Sequence, residues 1–160
     1  MPEHFFERTI WLPAGREYLF EFFSRAENLQ LVTPRWLDFR ILTPLPVEMK
    51  LGALFDYRIR LYGVPVTWRT KVTGWDPPRR FEDTQLAGPY RLWVHEHLFE
   101  PENAGTRMTD RVRYRSRGGP LEPLVDSLFV RSRLEKIFAF REEAFRQLFT
   151  QPPAPAEPRV

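Results

Sequence analysis

The chain has 160 residues, 42% of them hydrophobic, with 14 Phe, 5 Trp, 5 Tyr, no cysteine and a formal charge of +3. That length suits one domain with a substantial core, and the lack of cysteine excludes disulfides, thiolate nucleophiles and cysteine metal sites, as fits a reducing compartment. The basic residues are scattered without a lysine-rich tract, so no nucleic-acid partner is expected. With no basic leader and no run of roughly 18 apolar residues, a soluble cytoplasmic protein without a membrane segment is expected.

The first segment, His4 to Leu12, reads as a strand that stops at Pro13, a residue better suited to an opening helical turn. From Ala14 to Phe23 the spacing of Tyr18, Leu19, Phe22 and Phe23 predicts a helix with one apolar face. Ser24 is placed to open a second short helix over Ala26 to Leu31, closed by Thr33-Pro34. Strands are then predicted at Phe39 to Thr43, Ala53 to Leu61, Val66 to Trp75, Phe81 to Leu86, Arg91 to Glu100 and Arg107 to Ser116. Their short connections, among them Tyr62-Gly63-Val64-Pro65, Asp76-Pro77-Pro78-Arg79 and Pro101 to Thr106, make neighbouring strands antiparallel.

After Pro120 and Pro123 a long helix is predicted to about Phe149. Its early stripe (Leu124, Val125, Leu128) and late stripe (Leu134, Ile137, Phe138, Phe145, Leu148) fall out of phase, so an irregular turn is expected near Phe129 to Arg133. Residues 1–150 are therefore read as one domain, and the proline-rich 151–160 as a disordered tail.

The segment Trp93-Val94-His95-Glu96-His97-Leu98-Phe99 is the most informative for chemistry. Side chains alternate across a strand, so Trp93, His95, His97 and Phe99 share one face, and two of the chain's three histidines stand there.

The order strand, two short helices, six antiparallel strands and a long final helix resembles the START/Bet v 1-like superfamily. Several phrases sharpen the likeness: Ala26-Glu27-Asn28-Leu29 through Thr33-Pro34-Arg35-Trp36-Leu37, Gly63-Val64-Pro65-Val66-Thr67-Trp68, Asp76-Pro77-Pro78-Arg79-Arg80-Phe81, Gly88-Pro89-Tyr90, and Trp93 with His95 and His97. Together they are similar to the bacterial SRPBCC ligand-binding branch that includes polyketide cyclase and dehydrase relatives. The resemblance implies an α+β helix-grip fold, in which a curved antiparallel sheet of about seven strands wraps the C-terminal helix around an apolar cavity. It also implies that Gln30 to Trp36 and Leu86 to Tyr90 lie near the cavity mouth, with Trp36 and Tyr90 as gates or packing anchors.

Given that fold, alternation sends Met108, Asp110, Val112 and Tyr114 inward from one strand and Phe81, Asp83 and Gln85 from another. Buried acids and imidazoles need partners, and Arg141, interrupting the late helical stripe, is the expected counter-charge. The expected ligand-binding set is Tyr57, Trp68, Asp83, Gln85, Trp93, His95, His97, Phe99, Asp110, Tyr114, Phe138 and Arg141. The expected function is binding or transport of a small hydrophobic, lipid- or polyketide-like ligand by a monomer or weak dimer. Three other readings stay open. His95 or His97, oriented by Asp110 or Asp83, would serve a cyclase or dehydratase as general base. The same groups would otherwise be hydrogen-bonded sheet residues and ion pairs of an interaction module with a collapsed interior. Two histidines at i, i+2 with an acid also suit a divalent metal, but such spacing is common, and no metal and no cofactor is expected.

Overall fold

A computed structural model of the protein describes residues 3–150. The expectation of a disordered tail at 151–160 lies outside them. Seven strands form one open antiparallel sheet in the order β1-β7-β6-β5-β4-β3-β2: β1 (His4–Leu12), β2 (Arg40–Ile41), β3 (Leu54–Leu61), β4 (Val64–Asp76), β5 (Arg80–Ala87), β6 (Leu92–Glu102) and β7 (Gly105–Arg115). Helix α1 (Arg16–Phe23) and a 3₁₀ segment (Ala26–Val32) follow β1. After β7 come a short helix α2 (Glu122–Val125), a π-helical turn (Asp126–Val130) and the long α3 (Arg131–Thr150). This is the helix-grip arrangement of the START/Bet v 1-like superfamily.

Strand β1 pairs across its whole length with β7, because its even positions Phe6, Ile10 and Leu12 are apolar and face inward. Two hairpins turn on two residues with positive φ, Tyr62-Gly63 and Asn103-Ala104, whose twist matches that of paired strands. The second turn is therefore tighter than the predicted Pro101 to Thr106 loop. Register shifts at Arg69/Thr70 and Val72/Gly74 bend β4 against β5 and curve the sheet.

Several expectations are corrected. Strand β2 has only two residues, because beyond Ile41 the backbone N–H groups of Leu42 and Thr43 both turn to the Asp56 carbonyl and the Thr43 hydroxyl accepts from Asp56 N. Ser24 closes α1 instead of opening the next helix, its hydroxyl donating to the Glu21 carbonyl. The buried face of α1 is Leu19, Phe20 and Phe23, with Phe20 packed on Phe81 and Phe99, while Tyr18 is exposed. The irregular turn in the final helix lies at Asp126–Val130, slightly earlier than the stripe phase implied, and Leu148 is exposed.

The early helical stripe is also inverted. Leu124 and Leu128 face solvent, whereas Glu122 and Asp126 are 1% and 7% exposed. Their partners explain this. His4 Nε2 lies 3.1 Å from Glu122 and its Nδ1 3.2 Å from Asp126, Tyr114 donates to Asp126 at 2.6 Å, and the Ser116 backbone N–H donates to Glu122. Buried carboxylates persist where donors meet them, and here those donors tie β1 and β7 to the start of the helical segment.

Two apolar clusters make the core. One gathers around α1 with Phe81, Phe99, Met108 and Phe145, and the other around Trp68, Trp93, Tyr114, Leu134 and Phe138. The polar residues described next occupy the seam between them.

Candidate functional site

Strands β5, β6 and β7 bring four polar side chains together because their inward positions fall in register. Asp83 is paired with His95 across β5 and β6, and His97 with Asp110 across β6 and β7. The hydrogen bonds run along the diagonals. His95 Nε2 donates to Asp110 Oδ1 at 2.8 Å, and His97 Nε2 donates to Asp83 Oδ2 at 3.1 Å. His97 Nδ1 also lies 3.0 Å from that Asp110 oxygen, off the line of a straight hydrogen bond. The two imidazoles lie 3.8 Å apart, with Phe81 stacked 4.1 Å beyond His97 and the Phe138 ring edge-on 5.7 Å from His95.

This packing separates the two histidines chemically. Burial alone disfavours the imidazolium of His97, but hydrogen bonding and attraction from Asp110 and Asp83 more than offset it and hold His97 above its ordinary value. His95 is held below its ordinary value by burial and by the adjacent His97, with Asp110 compensating only in part. Asp110 itself lies well below the usual carboxylate range, since the His95 bond and the attraction of both imidazoles outweigh its burial. An ionised Asp110 accepts from His95 Nε2–H, so the basic nitrogen of a neutral His95 is Nδ1.

The histidines form one wall of a cavity of about 140 Å³ between the sheet and α3. Tyr57, Trp68, Trp93 and Phe138 supply flat aromatic walls, the 3₁₀ segment contributes Ala26 and Leu29, and α3 adds Ile137 and the arginines Arg133 and Arg141. Several buried polar atoms at this wall have no hydrogen-bond partner among the described residues: Trp68 Nε1, Thr70 Oγ1 and Arg141 Nε. Tyr57 is half-buried, and its hydroxyl is held well above its ordinary value by desolvation, with a smaller contribution from Asp83, and keeps its proton. Asp83, His95 and His97 each place one donor atom within 4.8 Å of the others, so these are the residues able to hold a metal ion. Asp110, bonded behind His95, would orient that ring as a ligand.

The family described as polyketide cyclase / dehydrase and lipid transport matches residues 12–139. The chain belongs to that family. Solved structures agree on the fold of this family member. CV1439 from Chromobacterium violaceum has a TM-score of 0.72 at 10% identity, covering 92% of this chain and 98% of that one. Major latex-like protein 151 from Panax ginseng has a TM-score of 0.65 at 9% identity, covering 93% and 99%. The Zhui aromatase/cyclase from Streptomyces sp. R1128 has a TM-score of 0.65 at 16% identity, covering 92% and 96%. No curated protein matches the chain. No helix among the described residues is long and apolar enough to cross a membrane.

In this polyketide cyclase / dehydrase family member, Tyr57, Trp68, Asp83, Trp93, His95, His97, Phe138 and Arg141 stand at the cavity wall. Phe99, Asp110 and Tyr114 lie outside it. Asp110 acts through the histidines, Phe99 packs in the α1 cluster, and Tyr114 is bonded to Asp126. Gln85 is also outside: its side chain donates to the Tyr90 carbonyl at 2.8 Å and accepts from the Tyr90 N–H at 3.2 Å, which fixes Tyr90 as a cavity wall. Arg141 is not the counter-charge of Asp83 or Asp110, because the imidazoles reach those acids first. Trp36, expected at the mouth, is exposed with the Arg133 guanidinium over its ring at 4.8 Å.

Sequence reasoning missed Thr70 and Arg133. Thr70 follows Trp68 on the inward side of β4, so alternation marks its position. Arg133 stands about two helical turns before Arg141, on the same face of α3.

Proposed function

We propose that the protein binds a small hydrophobic ligand carrying one polar end, held between the sheet and α3. The observation that carries this reading is the set of buried polar atoms (Trp68 Nε1, Thr70 Oγ1, Arg141 Nε) without a partner among the described residues at the wall of an otherwise aromatic cavity. Each unpaired buried donor costs about 1–3 kcal/mol, a cost removed when a guest accepts the hydrogen bond. Size restricts the guest. An apolar cavity of about 150 Å³ takes a single benzene ring, so about 140 Å³ suits a compact ring system, and a longer chain requires α3 to move outward. Native mass spectrometry of gently purified protein tests the reading. A co-purifying or titratable small molecule is expected for the wild type and none for Ile137→Trp, which fills the cavity; retention of the guest by a folded I137W protein refutes the assignment.

The neutral His95 held by Asp110 favours a second reading, cyclisation or dehydration of a carbonyl compound. His95 Nδ1 would remove a proton alpha to the carbonyl while Asp110 fixes the tautomer and steadies the imidazolium that forms. Wild-type protein would then speed exchange of the α-deuterons of a bound ketone into water, and His95→Gln would not. Equal exchange with both proteins removes His95 as a base.

A further inference from the structure

We propose that the ligand is an acid: a compact aromatic carboxylate whose anionic end is held by Arg141. This rests on the ligand-binding reading above and adds to it the charge and class of the guest.

The first argument is an accounting of charge around α3. Glu142, next to Arg141 in sequence, is already taken by Arg8 at 2.8 Å and by Arg146 at 2.7 Å. Asp83 and Asp110, the acids of the neighbouring wall, are taken by His97 and His95. Arg141 is left against rings, with its guanidinium carbon 5.4 Å from the Phe138 centroid and 6.0 Å from that of Phe145. Its Nε is out of solvent and has no partner among the described residues. The structure has thus placed a permanent cation at a cavity wall with no anion of its own among the described residues.

The second argument is the direction of the unmet hydrogen bonds. An indole N–H and a guanidinium N–H only donate, and the Tyr57 hydroxyl keeps its proton at any ordinary pH and is available to donate. With the Thr70 hydroxyl, the wall offers donors in want of an acceptor. A carboxylate is acceptor-only, with two oxygens that match the planar fork of arginine. A cationic guest would find Asp83, one oxygen of which is already held by His97, and would face Arg141. Arg133, also at the cavity wall and stacked over Tyr62 at 3.9 Å and Trp36 at 4.8 Å, forms no ion pair among the described residues and adds a second positive charge. The flat rings of Tyr57, Trp68 and Phe138 and the modest volume select an aromatic body over a long alkyl chain.

Isothermal calorimetry with toluene, benzamide and benzoate, each a single ring as the cavity volume requires, tests this on the wild-type chain, independently of any variant. The benzoate is expected to bind at least tenfold more tightly than the benzamide, with a preference that shrinks as salt is raised. Arg141→Gln is expected to bring acid and amide to equal affinity while amide binding, and hence the fold, is retained. If the neutral probes bind and the acid binds no more tightly, or if R141Q keeps the acid preference, the carboxylate assignment is overturned and the cavity reading stands. If none of the three binds, both are overturned.

Discussion

His95 donates from Nε2 to Asp110 Oδ1 at 2.8 Å, joining adjacent strands β6 and β7 through two side chains that are 5% and 4% exposed. Asp110 is the hub of the polar seam, since His97 Nδ1 stands 3.0 Å from the same oxygen. Asp110→Asn keeps its shape but removes its charge and leaves two buried imidazoles facing an amide. A hydrogen bond to a charged group contributes about 1.5–3 kcal/mol, and a loss of that order is expected in urea unfolding at neutral pH. A change below about 1 kcal/mol would show that the charge on Asp110 contributes little.

The two pocket histidines should titrate in opposite directions from 6.5, His97 above and His95 below. With only three histidines in the chain, NMR of the imidazole signals resolves them. For stability, the elevated His97 contributes fully below 6.5, and its contribution is lost as pH rises through its folded-state value. His95 behaves inversely: its contribution is present above 6.5 and is lost as pH falls toward its depressed value. Comparing His97→Gln with wild type, the variant should lack the alkaline part of this dependence. The reverse order of titration would show that Asp83 and Asp110 do not offset the burial of His97.

His4→Gln should destabilise the protein by about 1–3 kcal/mol, because it weakens the donor set facing the buried Glu122 and Asp126. Chemical unfolding measures the loss. Hydrogen exchange should show it concentrated in β1 and residues 122–130, where His4 ties the sheet edge to the helical segment. Uniform loosening across the sheet would argue against a local tie.

Gln85→Ala removes both hydrogen bonds that hold the Tyr90 backbone. Two neutral bonds contribute about 1–3 kcal/mol together, so a modest loss of stability is expected, with faster amide exchange at Tyr90 and weaker ligand binding through a loosened wall. If binding weakens with no change in exchange at Tyr90, Gln85 touches the ligand directly.

Alternation along Trp93 to Phe99 was enough to place His95 and His97 inward, and the same rule placed Asp83 and Asp110 on facing strands, because a strand has a strict two-residue period. The order of elements was equally legible, since proline and glycine punctuation marks where strands and helices end. Helical faces were less so. The Leu124 and Leu128 stripe looked like core, yet Glu122 and Asp126 are inside, because the donors that satisfy them, His4, Tyr114 and Ser116, come from distant parts of the chain. A hydrophobic pattern carries no information about such partners.

Sequence by itself determined the order of elements along the chain, the inward histidine face and the aromatic interior, all consequences of local period and residue type. Only the tertiary structure decided who pairs with whom. It gave Asp83 and Asp110 to the histidines, Gln85 to the Tyr90 backbone and Glu142 to Arg8 and Arg146, and among the described residues it left Arg141 without an anion at the cavity wall. Charges and hydrogen bonds act between groups within a few ångströms, and it is the curvature of the sheet over α3 that sets those distances.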